Sequence, residues 1–277
     1  MTAPPSFLRL ASQWLMAALL AVTLVALFVV LAGAQLTSED AGLRVHRRSV
    51  ATLTDIDATL PGIEAALDAA AEEPQAAAVQ VPAFPIPVQL SAEEAATLRG
   101  PALWERILDK SAALLYEDGM AEWAAADADS IQRIDRASTA GIMKTGLGMA
   151  RDSRHALFLA GAALLGVIAL LLAIGMTVAI RDWNMRLVAL GSVVFAAALP
   201  CLAAAIAVRF GFKTAQTEAD PFVEALLDLG IDAMWVPIRD YLVLSSLGFV
   251  IAGFGALGAW LQARAPRRAV PAAPPAE

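Results

Sequence analysis

Few residues in this chain have side chains suited to catalysis or metal binding, and they are scattered. The two histidines, His46 and His155, lie near the two ends of a long polar segment. Folding of that segment could bring them together at a membrane surface, with Asp152 as a third ligand. A zinc site built on one helix needs two histidines a turn apart, and no His-x-x-x-His spacing occurs. Solvated or interfacial histidines are therefore expected instead of ligands. Lys144-Thr145-Gly146-Leu147-Gly148 holds the residue types of a phosphate-cradling loop, but in the wrong order and with no preceding strand. No Gly-x-Ser-x-Gly elbow occurs, and no Ser–His–Asp set can be ordered. The single cysteine, Cys201, sits inside an apolar run, which leaves no intrachain disulfide and no cysteine-built zinc site. Glu93, Glu94, Glu105, Asp109, Glu117 and Asp118 fit the solvated side of helices better than acid–base catalysis. The expectation is a protein without catalytic, cofactor-binding or metal-ligating residues, and not an enzyme.

The elements around these residues point to lipid. Of 277 residues, 58% are hydrophobic and 17% charged, against about 45–50% and about 25% in soluble domains. The net charge of −7 argues against nucleic acid as a partner, which needs a basic patch. Four apolar runs contain no Asp, Glu, Lys, Arg or His, and each provides the ~20 helical residues that cross a bilayer core. The predicted fold is an all-α integral membrane protein, with four transmembrane helices and a helical extracytoplasmic domain between the first and second. In order, residues 1–13 form a cytoplasmic tail, 14–35 transmembrane helix 1, 36–155 the extracytoplasmic domain and 156–180 helix 2. A cytoplasmic turn, 181–186, precedes helix 3 at 187–208. An extracytoplasmic loop with a short interfacial helix, 209–240, leads to helix 4 at 241–261 and a disordered cytoplasmic tail, 262–277. Helix 1 ends in Ala32-Gly33-Ala34, the small-residue pattern of a signal-peptidase site. Its apolar run exceeds the usual 7–15 residues of a signal peptide, so a retained anchor is expected.

Inside 36–155, Leu53, Ile56, Leu60, Ile63 and Leu67 stripe a helix over 50–71, with Pro61 placed near its first turn. Pro74, Pro82, Pro85 and Pro87 alternate with Val81, Phe84, Ile86 and Val88, which predicts an extended, polyproline-like connector. Ser91-Ala92-Glu93-Glu94 is a capping box that opens a short helix to Arg99. Gly100-Pro101 punctuates, and a helix over 101–118, closed by Gly119, gathers Leu103, Trp104, Ile107, Leu108, Leu114 and Leu115 on one side. Ile131, Ile134, Ile142 and Leu147 stripe one more helix. Later, Asp220-Pro221 opens a short helix closed by Gly230, and Trp235 marks the membrane boundary.

Small residues recur along the spans: Ala162, Gly166, Ala169 and Ala173; then Ala196, Pro200, Ala203, Ala204 and Ala207; then Gly248, Ala252 and Ala256. Such stripes let helix backbones approach closely in lipid, within one chain or between copies. Positive charges near the span ends are almost balanced between the two sides. The short, signal-like N-terminus and the ease with which long loops translocate place both termini in the cytoplasm. Arginine in place of lysine and heavy alanine usage hint at a GC-rich bacterial genome. Uncharged spans disfavour a pump or ion-coupled transporter, whose membrane charges cost at least ~2.5–3.5 kcal/mol each. The expected function is a non-enzymatic sensing, scaffolding or accessory subunit of a cell membrane, with a protein partner or further copies of itself in addition to the bilayer. An oligomeric channel or transport component is the alternative.

Overall fold

The computed structural model describes residues 7–53, 56–71, 78–81, 84, 86–117, 152–216 and 221–264. The helix expected from Ile131 to Leu147, the Gly119 cap and the Lys144 loop lie outside the described residues. Those described form eight helices and one β-ribbon: α1 (Phe7–Leu36), α2 (Glu39–Leu53), α3 (Ile56–Ala71), β1 (Ala78–Gln80), β2 (Gln89–Ser91), α4 (Ala92–Thr97), α5 (Gly100–Glu117), α6 (Asp152–Ala179), α7 (Trp183–Gln216) and α8 (Pro221–Arg264).

Four helices are long and apolar enough to cross a membrane: Ala11–Leu36, Asp152–Ala179, Trp183–Gln216 and Leu227–Arg264. The shortest has 26 residues, or about 39 Å of helix, against a hydrocarbon core of ~30 Å. Their outward faces are apolar, including Leu164, Leu171, Phe249 and Phe254. Exposing such groups to water is costly, whereas lipid tails accept them.

By internal contacts the chain divides into two units. The first comprises Met1–Phe28, Leu164–Ala203 and Arg239–Glu277. Its core is Leu20, Ala169, Met176 and Val193, with Ala173 packed alongside. Helices α7 and α8 meet backbone to backbone. A Cβ on Gly191 would stand 2.4 Å from the Ala252 nitrogen, and one on Gly248 2.6 Å from the Phe195 nitrogen. Gly255 meets the Asn184 carbonyl oxygen in the same way, at 2.7 Å. On α8 the packed face keeps Gly248 and Ala252 of the expected stripe and adds Tyr241, Ser245 and Gly255, while Ala256 is exposed. The α7 stripe is corrected. On α7, Ala196, Pro200, Ala203, Ala204 and Ala207 are all exposed, and Val193, Ala197, Ala198, Cys201 and Ala205 are buried instead. Small residues surround α7 on every side, so their spacing alone does not select a face. Hydroxyls in the spans bond back to their own helices, as Thr23 to the Leu19 carbonyl at 2.8 Å and Thr177 to that of Ile174 at 2.8 Å. Ser245 differs: its hydroxyl is buried and finds no hydrogen-bond partner among the described residues.

The turn between α6 and α7 is tighter than the expected 181–186, because α7 already begins at Trp183. Asp182 caps it, its Oδ1 accepting from the Asn184 amide at 2.8 Å.

The second unit comprises Val29–Ala163 and Ala204–Ile238. Its core draws on α2, α3, the ribbon and α5, and includes Val50, Leu67, Ile86, Leu90, Leu103 and Ile107. The connector expected to be polyproline-like is instead an antiparallel ribbon, with Val79 opposite Leu90. Its apolar alternation has the period-two pattern of a half-buried strand. Val81, Ile86, Val88 and Leu90 bury themselves in the core, and Pro87 lies outside the paired residues, where it interrupts no ladder bond. Phe84 meets Trp104 edge-on, with ring centroids 6.0 Å apart. The expected helix over 50–71 is two helices, and Pro61 lies inside α3. Ser38 followed by Glu39 and Asp40 is the start signal for α2, with acidic groups at the positive helix end.

The short interfacial helix is also corrected. α8 starts at Pro221, as Asp220-Pro221 predicted, but runs unbroken through Gly230 and Pro237 to Arg264. Gly230 ends nothing: a Cβ there would stand 3.0 Å from the Phe212 ring of α7. Pro237 removes one ladder bond without stopping the helix.

Candidate functional site

Polar contacts from two distant helices gather around the C-terminal end of α1. A helix end leaves its last carbonyls without intrahelical donors, and here those of Gly33, Ala34 and Gln35 are supplied from beyond the helix. The Gly33 oxygen accepts from the Thr37 amide at 3.0 Å and the Thr37 hydroxyl at 2.7 Å. The Ala34 oxygen lies 2.9 Å from Nδ1 of His155 on α6. A carbonyl only accepts, so this nitrogen carries the proton. The Gln35 oxygen accepts from the Ser38 hydroxyl at 2.8 Å. Tyr116, on α5, donates its phenol to the Thr37 oxygen at 3.1 Å. Burial, with Asp152 and Glu39 nearby, pushes the Tyr116 phenol above its ordinary value, so it remains a donor at neutral pH. Below this, α6 packs closely on α1, since a Cβ on Gly33 would lie 2.7 Å from the Phe158 ring.

Gly33 and Ala34 thus serve a packing and hydrogen-bonding role within the fold. His155 holds a helix end and His46 is buried in α2. Among the described residues, no three or more of His, Cys, Asp and Glu are grouped so as to hold a metal ion.

The acidic residues are mostly engaged in structural links. Glu94 completes the capping box, bonding the Ser91 amide at 2.8 Å, while Ser91 accepts from the Glu94 amide at 3.1 Å. It also takes Lys110 at 2.6 Å and Arg106 at 2.6 Å. The Lys110 bond, then those from the Ser91 backbone and Arg106, hold its carboxyl at about 2 although burial opposes this. Asp109 joins α5 to α2 through Arg47 at 2.9 Å. Glu64 accepts the Gly100 amide at 2.6 Å, where φ of +58° favours glycine. Asp68 pairs with Arg99 at 2.5 Å.

The C-terminal end of α7 and the N-terminal part of α8, where the sequence predicts a loop with a short interfacial helix, add a second set of ties. Gln216 reaches Asp228 at 2.7 Å, Arg48 of α2 lies 3.5 Å from Asp232, and Arg209 stacks 5.0 Å from the Trp235 ring centre. Chemically, these arrangements strap helices together and hold carbonyls and carboxylates in fixed partnerships. No protein-family model, no curated protein and no solved structure matches this chain.

Proposed function

We propose that this chain is a multi-pass protein of a bacterial plasma or inner membrane, with both termini cytoplasmic and α2–α5 in an extracytoplasmic domain. In this reading it acts without catalysis, as a sensing, scaffolding or accessory subunit for a protein partner. The supporting observation is the strapping at the end of α1. His155 of α6 donates to the Ala34 carbonyl in its last turn, and Tyr116 of α5 to the Thr37 carbonyl just past its end. A force or binding event on α2–α5 therefore bears directly on helices long enough to span a bilayer. Sensor proteins share the layout of a helical insert between spans, an analogy that fixes no ligand.

The test is cross-linking in native membranes followed by purification. A defined partner is expected with the wild-type chain and lost when 39–117 is replaced by a flexible linker in a variant that still inserts. A chain that purifies with copies of itself alone and conducts ions in bilayers overturns this reading. That outcome would favour the second one, an oligomeric channel or transport component. Its support is the exposed face Ala196, Pro200, Ala203, Ala204 and Ala207, which is small enough for close helix contact.

A further inference from the structure

The first unit contains a recess of about 510 Å³, lined by Gln13 of α1, the 179–182 turn, and Met185, Val188 and Ala189 of α7. Its floor is apolar and its rim is polar. Two carbonyls at this end are already engaged, Ala179 by the Gln13 side-chain amide at 3.0 Å and Ile180 by Arg186 Nε at 2.7 Å. Asp182 is committed to the first amides of α7, at 2.8 Å and 3.4 Å. Arg181 is exposed and has no ion pair among the described residues. Trp14 and Trp183 are 70% and 67% exposed, at the starts of the first and third spans. Exposed tryptophans in these positions mark the headgroup level of a bilayer. Arg186 lies 6.0 Å from the Trp183 ring centre, which adds a second cation beside the turn.

We infer that this recess holds an anionic glycerophospholipid of the surrounding leaflet, its phosphate on Arg181 and its acyl chain along Met185, Val188 and Ala189. Charge complementarity selects this occupant. Asp182 keeps its charge while capping α7, so Arg181 and Asp182 on the rim together with the neighbouring Arg186 leave one net positive charge at this turn. Met185, Val188 and Ala189 give the recess an apolar wall, as a tethered acyl chain requires. The inference rests on the four long helices lying in lipid and is independent of the role of α2–α5.

The test is native mass spectrometry of the purified chain with phosphatidylglycerol and with phosphatidylcholine. Phosphatidylglycerol is expected to be retained preferentially, and Arg181→Gln to reduce that preference about fivefold, since a basic residue at the surface contributes ~1 kcal/mol toward anionic lipid. Arg209→Gln, at the other end of α7, is the control and should leave the preference intact. Equal retention of the two lipids, or a preference untouched by Arg181→Gln, means annular lipid only and overturns the site. A chain that carries no lipid and stays monodisperse without detergent overturns the membrane reading as well, so the two failures are distinguishable.

Discussion

The two units solve the same packing problem with opposite materials. In the second, α5 offers Leu103, Trp104, Ile107 and Leu115 to a core of large side chains, and charged pairs such as Arg47–Asp109 stay at the edge. In the first, α7 and α8 touch through Gly191, Gly248 and Gly255, with large side chains such as Phe249 and Phe254 turned outward. The difference follows from the solvent. Water rewards burial of big apolar groups. Lipid does not distinguish a leucine facing a helix from one facing a tail, so close backbone approach and dispersion decide the contact.

Substitutions can break this contrast in either unit. The largest effect is expected from Leu103→Ala, which should cost about 3 kcal/mol by opening a cavity. It is read as a loss of protection of α2–α5 in hydrogen exchange, with the α7–α8 amides little changed. Gly191→Val is the converse. Its side chain would meet the backbone of α8, at a cost of about 2 kcal/mol, visible as a lower melting temperature in detergent. Gly166→Ala sharpens the point, because nothing lies within 4 Å of a Cβ there. It should be neutral or stabilising by about 0.5–1 kcal/mol. Tyr116→Phe should cost about 1–2 kcal/mol by leaving the Thr37 carbonyl unpaired, with the loss centred at the end of α1.

Acid affects the second unit through Glu94. Its folded value, about 2, lies below its ordinary 4.5. A depressed carboxyl stabilises the fold above its unfolded value, and that contribution fades as pH falls from about 5 toward 2. Glu94→Gln should flatten the stability profile of this unit in that window, measured by denaturant unfolding at a series of pH values. Ser91→Ala is expected to cost about 1 kcal/mol from the lost cap.

How much the sequence revealed differs between the same regions. The capping box at Ser91 and Glu94 and the buried side of α5 were legible, because each is a pattern within one turn or one helix. The ribbon was misread because prolines and alternating valines satisfy two extended conformations, and only a partner strand separates them. The small-residue face of α7 was misassigned because alanine surrounds that helix. The recess left no mark beyond Arg181 and two tryptophans, since it forms only when Gln13 of α1 packs against the turn 179–189.

The four long helices were determined by the sequence itself: an uncharged run of about 20 residues in lipid must satisfy its own backbone hydrogen bonds, and helix is the local way to do so. Only the tertiary structure decided which glycines touch, that α8 runs on through Pro237, and that Tyr116 and His155 close the end of α1. Those outcomes depend on which surfaces lie across from one another, and no single stretch of chain carries that information.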